Sequence, residues 1–380
     1  MPDRASGLGD RRMTFSGIFV DDQTDEAVYA ANLSLAGVLE LAYLKPENGA
    51  DLAASISGTS PSIILIDYRL DECGSDGEIG VRYKGSALAQ ILRDKAIELP
   101  ELDCPLVLVS AEAKIKSLYR PDKTAHDLFD RVYVKDRLNN ERDRVRNELV
   151  ALCEGYASLR ALNQSYELKA ITGLNEDEDW ALDYQQLRVG IGEAKAPHIV
   201  ARILLRDLID RSGPLLDDPE MAALLGMKGE CADKIAEVLT QAGIGYDGFF
   251  SGIGRRWWAH RLDQWATEVF GSRATGLTAK ARTDALNEKL GLGLEAAPSP
   301  WTGKDDELVA FACAVCSRPT ELKHSLAAFD AERPKFAKAA RICWDCIQLD
   351  KHKESDPPVL VDDNDAGIAA NVATMPRPQS

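Results

Sequence analysis

Four short apolar runs in the N-terminal third of the chain are each followed at once by polar side chains. Runs of this length, rich in valine, isoleucine and leucine, are typical of strands that are buried on both faces of a parallel sheet. Parallel strands end at a common edge of their sheet, so the polar residues that follow them gather there. The sequence therefore predicts a single cluster that contains Asp21, Asp22, Asp67, Ser110 and Lys135.

Helical periodicity occupies the segments between these runs. Strand and helix alternate about five times, which is the pattern of a doubly wound α/β domain. The stretch from Ala113 to Asp130 departs from this pattern, because it lacks a clear fourth helix. Helices are predicted over Asp25–Ala36, Gly49–Ile56 and Lys84–Ile97, and from Arg137 onward.

The acidic cluster predicts both a cation site and a phosphoryl acceptor. Magnesium prefers oxygen ligands, so Asp21, Asp22 and Asp67 are interpreted as its carboxylate ligands. With the cation and Lys135 neutralising the surrounding charge, Asp67 can attack a phosphorus atom. We therefore predict Asp67 as the phosphoacceptor, with Ser110 and Lys135 stabilising the phosphoryl group.

Residues 13–140 resemble the receiver domain of bacterial two-component response regulators in the identity and order of these side chains. The resemblance implies a flavodoxin-like sheet with strand order 2-1-3-4-5, and a histidine kinase or phosphotransfer protein as the phosphoryl donor. Two positions depart from the family. Asp136 stands where proline usually follows the lysine, and Val132 stands where an aromatic switch residue is usual, with Tyr133 one place late. Divergent receivers of this kind resemble those of bacterial defence phosphorelays.

The segment 141–170 has apolar residues that recur in alternating steps of four and three. Such a seam is typical of a helix that pairs in a coiled coil, so the segment is interpreted as a linker that could form a homodimer. In the alternative interpretation, its first half is the last receiver helix and the rest is a linker. Gly155 weakens the helix by about 1 kcal/mol. The seam comprises Val145, Leu149, Leu152, Tyr156, Leu159, Asn163 and Tyr166.

Residues 171–300 show mainly helical periodicity and are interpreted as a helical output domain. Asp218 and Pro219 predict an N-cap and the first residue of a helix. A short helix to Leu225, a turn, and a helix over Glu230–Gln241 have the proportions of a helix-turn-helix. The alternative function is therefore that of a transcriptional response regulator that binds DNA through residues 218–261.

One basic and aromatic cluster could contact nucleic acid by phosphate pairing and base stacking. Trp258 and Leu262, however, share a helical face that is typical of a core. The net charge of −16 also argues against nonspecific binding of nucleic acid by the whole chain. The cluster consists of Arg255, Arg256, Trp257 and Arg261.

Two C-x2-C pairs, separated by 26 residues, lie within residues 301–350. Four thiolates at this spacing predict a structural zinc site in a small zinc-ribbon-like module, and a redox pair or an iron centre is the alternative. The loop between the pairs is basic and could contact nucleic acid or the acidic receiver. The ligands are Cys313, Cys316, Cys343 and Cys346.

Composition restricts the remaining possibilities. Residues 1–12 are interpreted as a flexible tail and residues 351–380 as a disordered one, because both are polar and without periodicity. No long apolar segment or apolar signal core occurs, so no membrane interaction is expected and the predicted location is the cytoplasm. A catalytic C-terminal region ranks last, since the sequence offers no paired nucleophile and base; we expect the protein not to be an enzyme.

Overall fold

The computed structural model describes residues 14–72 and 81–377. The predicted flexible tail, residues 1–12, lies outside these ranges. The described residues form two compact units, and each unit is discontinuous in sequence. The first unit contains the residues up to Ile171, Gln186–Ile203 and Phe249–Gly254, and the second contains Thr172–Gln185, Leu204–Gly248 and the residues from Arg255 onward.

The first unit contains a parallel sheet of five strands. The strands are Phe15–Val20 (β1), Leu39–Leu44 (β2), Ile63–Ile66 (β3), Leu106–Ser110 (β4) and Arg131–Val134 (β5). Their order is β2-β1-β3-β4-β5, which confirms the predicted flavodoxin-like topology. All the residues of β3 are buried, as expected for a central strand that is covered on both faces.

Helices connect these strands. Asn48 caps the second helix by accepting a hydrogen bond from the backbone N–H of Ala50, which explains why the helix begins at the predicted residue. The first helix is shorter than predicted, because a 3₁₀ turn, Thr24–Ala27, precedes it. The helices are Val28–Leu33 (α1), Gly49–Thr59 (α2) and Gly85–Glu98 (α3).

The connection between β4 and β5 is irregular, as the sequence predicts. It begins with Glu112–Lys114 (α4), continues as a π-helical turn over Ile115–Tyr119, and includes a 3₁₀ turn over Lys123–Ala125. Tyr68 and Tyr119 pack edge to face at a centroid distance of 5.9 Å beneath this connection. Aromatic packing therefore supports a segment that has little regular helix.

The predicted dimer seam is buried within the first unit. Its helix, Leu138–Ala161 (α5), is continuous over 24 residues. Leu149 and Leu152 on the seam have no exposed surface. Gly155 faces the ring of Phe250, and a Cβ atom there would lie only 2.2 Å from the ring. The seam is therefore covered by its own chain, which contradicts the interpretation as a dimer helix. It agrees with the alternative, in which the first half of the segment is the last helix packed on the sheet.

A buried polar network ties α5 to the sheet. Arg93 on α3 forms ion pairs of 3.0 Å with Asp103 and 2.7 Å with Asp130. Tyr156 on α5 donates a hydrogen bond of 2.7 Å to Asp130, and Arg160 donates one of 2.6 Å to the backbone oxygen of Asp103. Each buried charge thus has a partner, and α5 is held in one position against the sheet.

The rest of the chain is mainly helical, with short two-stranded sheets. Its first helices are Leu168–Thr172 (α6), Gln185–Gly192 (α7) and Pro197–Arg202 (α8), the last of which continues as a π-helix over Ile203–Ile209. The second unit contains Asp218–Leu225 (α9), Ala232–Gln241 (α10), Ala259–Phe270 (α11) and Ala279–Leu290 (α12). Leu215–Leu216 (β6) pairs antiparallel with Trp257–Trp258 (β7). None of the described helices combines the length and the apolar character needed to span a bilayer.

The four predicted zinc ligands lie in two separate segments of the second unit. Val309–Ala312 (β8) and Pro319–Glu321 (β9) form a hairpin, and Ser325–Ala327 (β10) pairs with Arg341–Cys343 (β11). The first C-x2-C pair lies in the turn between β8 and β9. The second pair begins at Cys343, the last residue of β11, and ends at Cys346 in the helix Trp344–Gln348 (α13).

The C-terminal tail is ordered where the structure describes it. The helices Lys351–Glu354 (α14) and Ala366–Thr374 (α15) follow α13. Val372 on α15 is fully buried in one apolar cluster with the four predicted zinc ligands. Arg377 pairs with the buried carboxylate of Asp345 on α13. The prediction of a disordered tail is therefore wrong for residues 351–377, because the small module uses this segment to complete its core.

The start of α9 contains a carboxyl group that should make stability depend on pH. Asp217, one residue earlier than predicted, caps the helix by accepting a hydrogen bond of 2.9 Å from the Glu220 backbone N–H. Burial, with the nearby Asp217, raises the pKa of Glu220 to about 7. The folded state therefore holds this proton more tightly than the unfolded state, and stability falls as the pH rises through the ordinary glutamate range towards 7.

We expect Glu220→Gln to stabilise the protein by up to about 3 kcal/mol near pH 8 and by much less near pH 5. The amide removes the buried charge and can still accept the hydrogen bond from Ser212. Thermal unfolding at both pH values would measure the gap in Tm. Glu230→Gln, at an exposed position of the same unit, is the control. A gap of equal size at the two pH values would contradict the expectation.

Candidate functional site

The structure brings the predicted residues together at the carboxyl edge of the sheet. The side chains of Asp21 and Asp22 follow β1, Asp67 follows β3, Ser110 ends β4 and Lys135 follows β5. All these residues are buried. Their convergence follows from the parallel sheet order, in which β1, β3, β4 and β5 are consecutive neighbours.

The carboxylate of Asp67 has donors on both oxygens. Its Oδ1 accepts a hydrogen bond of 2.8 Å from the Ser110 hydroxyl and lies 3.0 Å from Lys135 Nζ. Its Oδ2 accepts a hydrogen bond of 2.7 Å from the backbone N–H of Arg69. Burial, together with the nearby carboxylate of Asp21, raises the pKa of Asp67 to about 7. The pocket therefore holds the carboxylate in one orientation. Burial disfavours its ionised form even with the Lys135 ammonium group close by.

Lys135 links three carboxylates. Its Nζ lies 2.6 Å from Asp21 Oδ2 and 3.0 Å from Asp67 Oδ1, and it also contacts Glu26. Burial lowers the pKa of Lys135, although Asp21 opposes that change. Sequence reasoning missed Glu26, which lies in the 3₁₀ turn after β1 and reaches back into the pocket. A glutamate five residues after the first strand-terminal acid was the available signal.

The donor set fits a divalent cation of the magnesium type. Asp21, Glu26 and Asp67 each offer a carboxylate oxygen, and these oxygens lie within 4.8 Å of one another. Asp22 lies outside this group, but both of its carboxylate oxygens are buried. Burial raises the pKa of Asp22, and Asp21 adds to the rise. A buried cluster of carboxylates is the arrangement that an oxygen-preferring cation would complete.

A close approach of backbone fixes the far side of the pocket. Gly85, the first residue of α3, lies so near Asp67 that a Cβ atom would be 2.1 Å from the Asp67 backbone oxygen.

Tyr133 on β5 points into the buried side of α5, where its hydroxyl donates a hydrogen bond of 2.5 Å to Glu148. The aromatic ring that the sequence places one position late thus contacts α5.

The four predicted zinc ligands converge in the second unit. The Sγ atoms of Cys313 and Cys346, and those of Cys316 and Cys343, are 3.8 Å apart in each pair. This separation is that of the corners of a tetrahedron around zinc with bonds of about 2.3 Å, and it is too long for a disulfide bond. Hydrogen bonds from the neighbouring thiols hold the pKa of Cys316 far below its ordinary value. The cluster could therefore hold one zinc ion with no open position.

The predicted nucleic-acid residues are engaged within the second unit. Trp257 is only 1% exposed, and its indole N–H donates a hydrogen bond of 2.8 Å to Asp218. Its assignment as a base-stacking residue is therefore wrong, because β7 pairs with β6 and buries the ring. Arg255 also pairs with Asp218, at 2.6 Å. The guanidinium of Arg261 lies 2.5 Å from Glu178, and Arg256 donates to the backbone oxygen of residue 209.

No family model and no curated protein matches this sequence. Among solved structures, the chain is similar to the signal receiver domain of NarL from Mycobacterium tuberculosis, with 19% identity over 37% of this chain and 98% of that one, at a TM-score of 0.27. It is also similar to a CheY-like response regulator receiver domain from Methylobacillus flagellatus, with 21% identity over 35% and 99%, at a TM-score of 0.25. The receiver domain of AraT from Geobacillus stearothermophilus shares 14% identity over 36% and 96%, at a TM-score of 0.25.

Proposed function

We propose that the protein is a phosphoacceptor of a bacterial two-component or phosphorelay system, phosphorylated on Asp67. The observation that carries this proposal is the environment of one carboxylate. Asp67 is buried at the carboxyl edge of a flavodoxin-like sheet, and a hydroxyl and an ammonium group contact the same oxygen. A structural aspartate would need only one of these partners, whereas a phosphorylated aspartate uses both.

The chemistry of the step follows from this arrangement. An oxygen of the ionised Asp67 carboxylate forms a bond to phosphorus, while the bond from phosphorus to the leaving nitrogen of a phosphohistidine breaks. The leaving imidazole retains the electron pair. The Ser110 hydroxyl can then donate a hydrogen bond to a phosphoryl oxygen, and Lys135 offsets the added negative charge.

A divalent cation held by Asp67 with Asp21 and Glu26, and with the buried carboxylate of Asp22, would supply charge neutralisation during transfer. The pKa of Asp67, raised to about 7, gives a further reason to expect this dependence. A protonated carboxyl group is a poor nucleophile, so a cation that favours the ionised form also favours reaction.

Signalling output is assigned to the second unit, and structural zinc to the cluster of Cys313, Cys316, Cys343 and Cys346. No enzymatic activity of that unit is proposed. The DNA-binding alternative receives no support from the predicted contact residues, because Trp257 is buried and both Arg255 and Arg261 pair with carboxylates. Contact with another protein, or competition for phosphoryl groups within a relay, is the proposed output.

Intact mass spectrometry after incubation with acetyl phosphate and Mg²⁺ tests the proposal. We expect the chain to gain one phosphoryl group and Asp67→Asn to gain none, because an amide cannot form the acyl phosphate. Asp94→Asn is the matched control, since Asp94 is exposed on α3 and should not alter uptake. Equal uptake by Asp67→Asn and the unaltered chain would refute the assignment.

A further inference from the structure

A second lysine, Lys114, lies beside the Asp67 carboxylate. Its Nζ is 3.8 Å from Asp67 Oδ2, whereas Lys135 lies 3.0 Å from Oδ1. Lys114 ends α4, and its Nζ donates a hydrogen bond of 2.9 Å to Glu72 Oε2. Its side chain is only 23% exposed. The ammonium group is therefore held between two carboxylates with limited contact with water.

The second oxygen of Asp67, Oδ2, lies within reach of the Lys114 charge and also accepts a hydrogen bond from the Arg69 backbone N–H. Oδ1 of Asp67 already contacts Ser110 and Lys135. Both carboxylate oxygens of the nearby acid Asp22 are buried. Lys114 thus interacts with a carboxylate that would hold the cation.

We propose that Lys114 is a resident competitor for the divalent cation that Asp67 and the neighbouring carboxylates of the pocket would hold. A doubly charged cation beside Asp67 Oδ2 repels an ammonium group only 3.8 Å from that oxygen. Cation binding therefore requires Lys114 to move away, and Glu72 offers a partner that it already contacts. This inference rests on the proposed function. It adds a residue that sets the cation concentration at which the pocket fills.

Sequence alone does not reveal this role. Lys114 follows the strand-terminal Ser110 by four residues, in a segment where the sequence pattern predicts no clear helix. Lys116, two residues later, is exposed at 49% and pairs with Glu112 at 2.7 Å. The two lysines are the same residue type in the same segment, so the sequence does not distinguish them. In the structure, Lys114 contacts Asp67, whereas Lys116 pairs with Glu112. Lys116 is therefore the matched control.

Calorimetric titration of Mg²⁺ into the full chain and its variants tests the competition. Methionine keeps most of the side-chain length while it removes the charge, so we expect Lys114→Met to bind Mg²⁺ about tenfold more tightly. Lys114→Arg keeps the charge and should bind no more tightly than the unaltered chain. Lys116→Met should leave the affinity unchanged.

The outcomes separate this inference from the proposed function. Equal affinities of the unaltered chain and Lys114→Met, with phosphoryl uptake at Asp67 intact, would overturn the competition alone. Weaker binding by Lys114→Met would overturn it as well, by showing that the lysine supports the cation. Absence of Mg²⁺ binding by a folded Lys114→Met chain would overturn both the competition and the cation requirement. Thermal unfolding establishes that each variant is folded, and Lys114→Gln replaces Lys114→Met if the latter is not.

Discussion

Replacing Cys343 with serine should remove bound zinc and unfold the C-terminal part of the second unit. Cys343 is fully buried, and its Sγ lies 3.8 Å from that of Cys316. The four cysteines lie in one apolar cluster with Ile342 and Val372. Zinc binding contributes about 10 kcal/mol or more to the folding of small zinc modules, so the loss of one ligand should exceed what this cluster can offset. Metal analysis of the purified chain would give the zinc content, and limited proteolysis would report on the fold.

The chain contains its own control for this substitution. Cys231 is also buried in the second unit but lies outside the four-thiol cluster. Cys231→Ser should retain one zinc ion per chain and the protease resistance of the C-terminal part. Retention of zinc by Cys343→Ser, or its absence from the unaltered chain, would rule out a four-cysteine zinc site.

Replacing Lys135 with methionine should lower the free energy of unfolding by about 3–5 kcal/mol near pH 8 without Mg²⁺. Lys135 is 4% exposed and contacts Asp21, Glu26 and Asp67. Removing the Lys135 ammonium group leaves these carboxylates close together, with one positive charge fewer to offset their negative charges. Thermal and urea unfolding would measure the loss.

Two conditions should restore the stability of Lys135→Met. Mg²⁺ should do so because it can replace the missing positive charge. A pH below 7 should also do so, since the pKa of Asp67 is already raised to about 7 and the folded state then holds the proton. The matched control is Lys95→Met. Lys95 Nζ donates to the backbone oxygen of Ala53 at 3.3 Å and to Ser57 at 3.4 Å, so its removal should not respond to Mg²⁺. An equal response of the two variants to Mg²⁺ would contradict the account.

The core of the candidate site could be predicted because its residues lie at strand ends. Asp67 and Lys135 each follow an apolar run directly, and a parallel sheet then leaves little freedom in where they meet. Glu26 and Lys114 could not be predicted in the same way. They enter the pocket from a 3₁₀ turn and from a short helix, and the direction of their side chains depends on how those segments pack.

The seam on α5 shows a different limit of sequence reasoning. Alternating steps of four and three specify an apolar face, but they do not specify what covers it. Here Phe250 packs against Gly155, and the polar network of Arg93 and Asp130 holds Tyr156. A face covered by distant parts of the same chain has the pattern of a face that pairs with a second copy.

The C-terminal tail and the basic cluster were misjudged because composition dominated the prediction. About half of residues 351–377 are polar, yet the buried side chain of Val372 places α15 in the small core. Trp257 and its neighbouring arginines suggest a nucleic-acid surface by type. Trp257, however, pairs with Leu216 in a two-stranded sheet and lies in the interior. Arg261 forms an ion pair with Glu178. Such pairings join residues far apart in sequence, which local patterns do not encode.

Identification of the phosphorylated residue in the unaltered chain tests the central claim most directly. Borohydride reduces an aspartyl phosphate to the alcohol of homoserine and releases phosphate, so the modified position can be read by peptide mass spectrometry. After treatment with acetyl phosphate and Mg²⁺, the account predicts reduction at Asp67 alone. Reduction at Asp21 or Asp22 instead, or a phosphoryl group on a different kind of side chain, would contradict it.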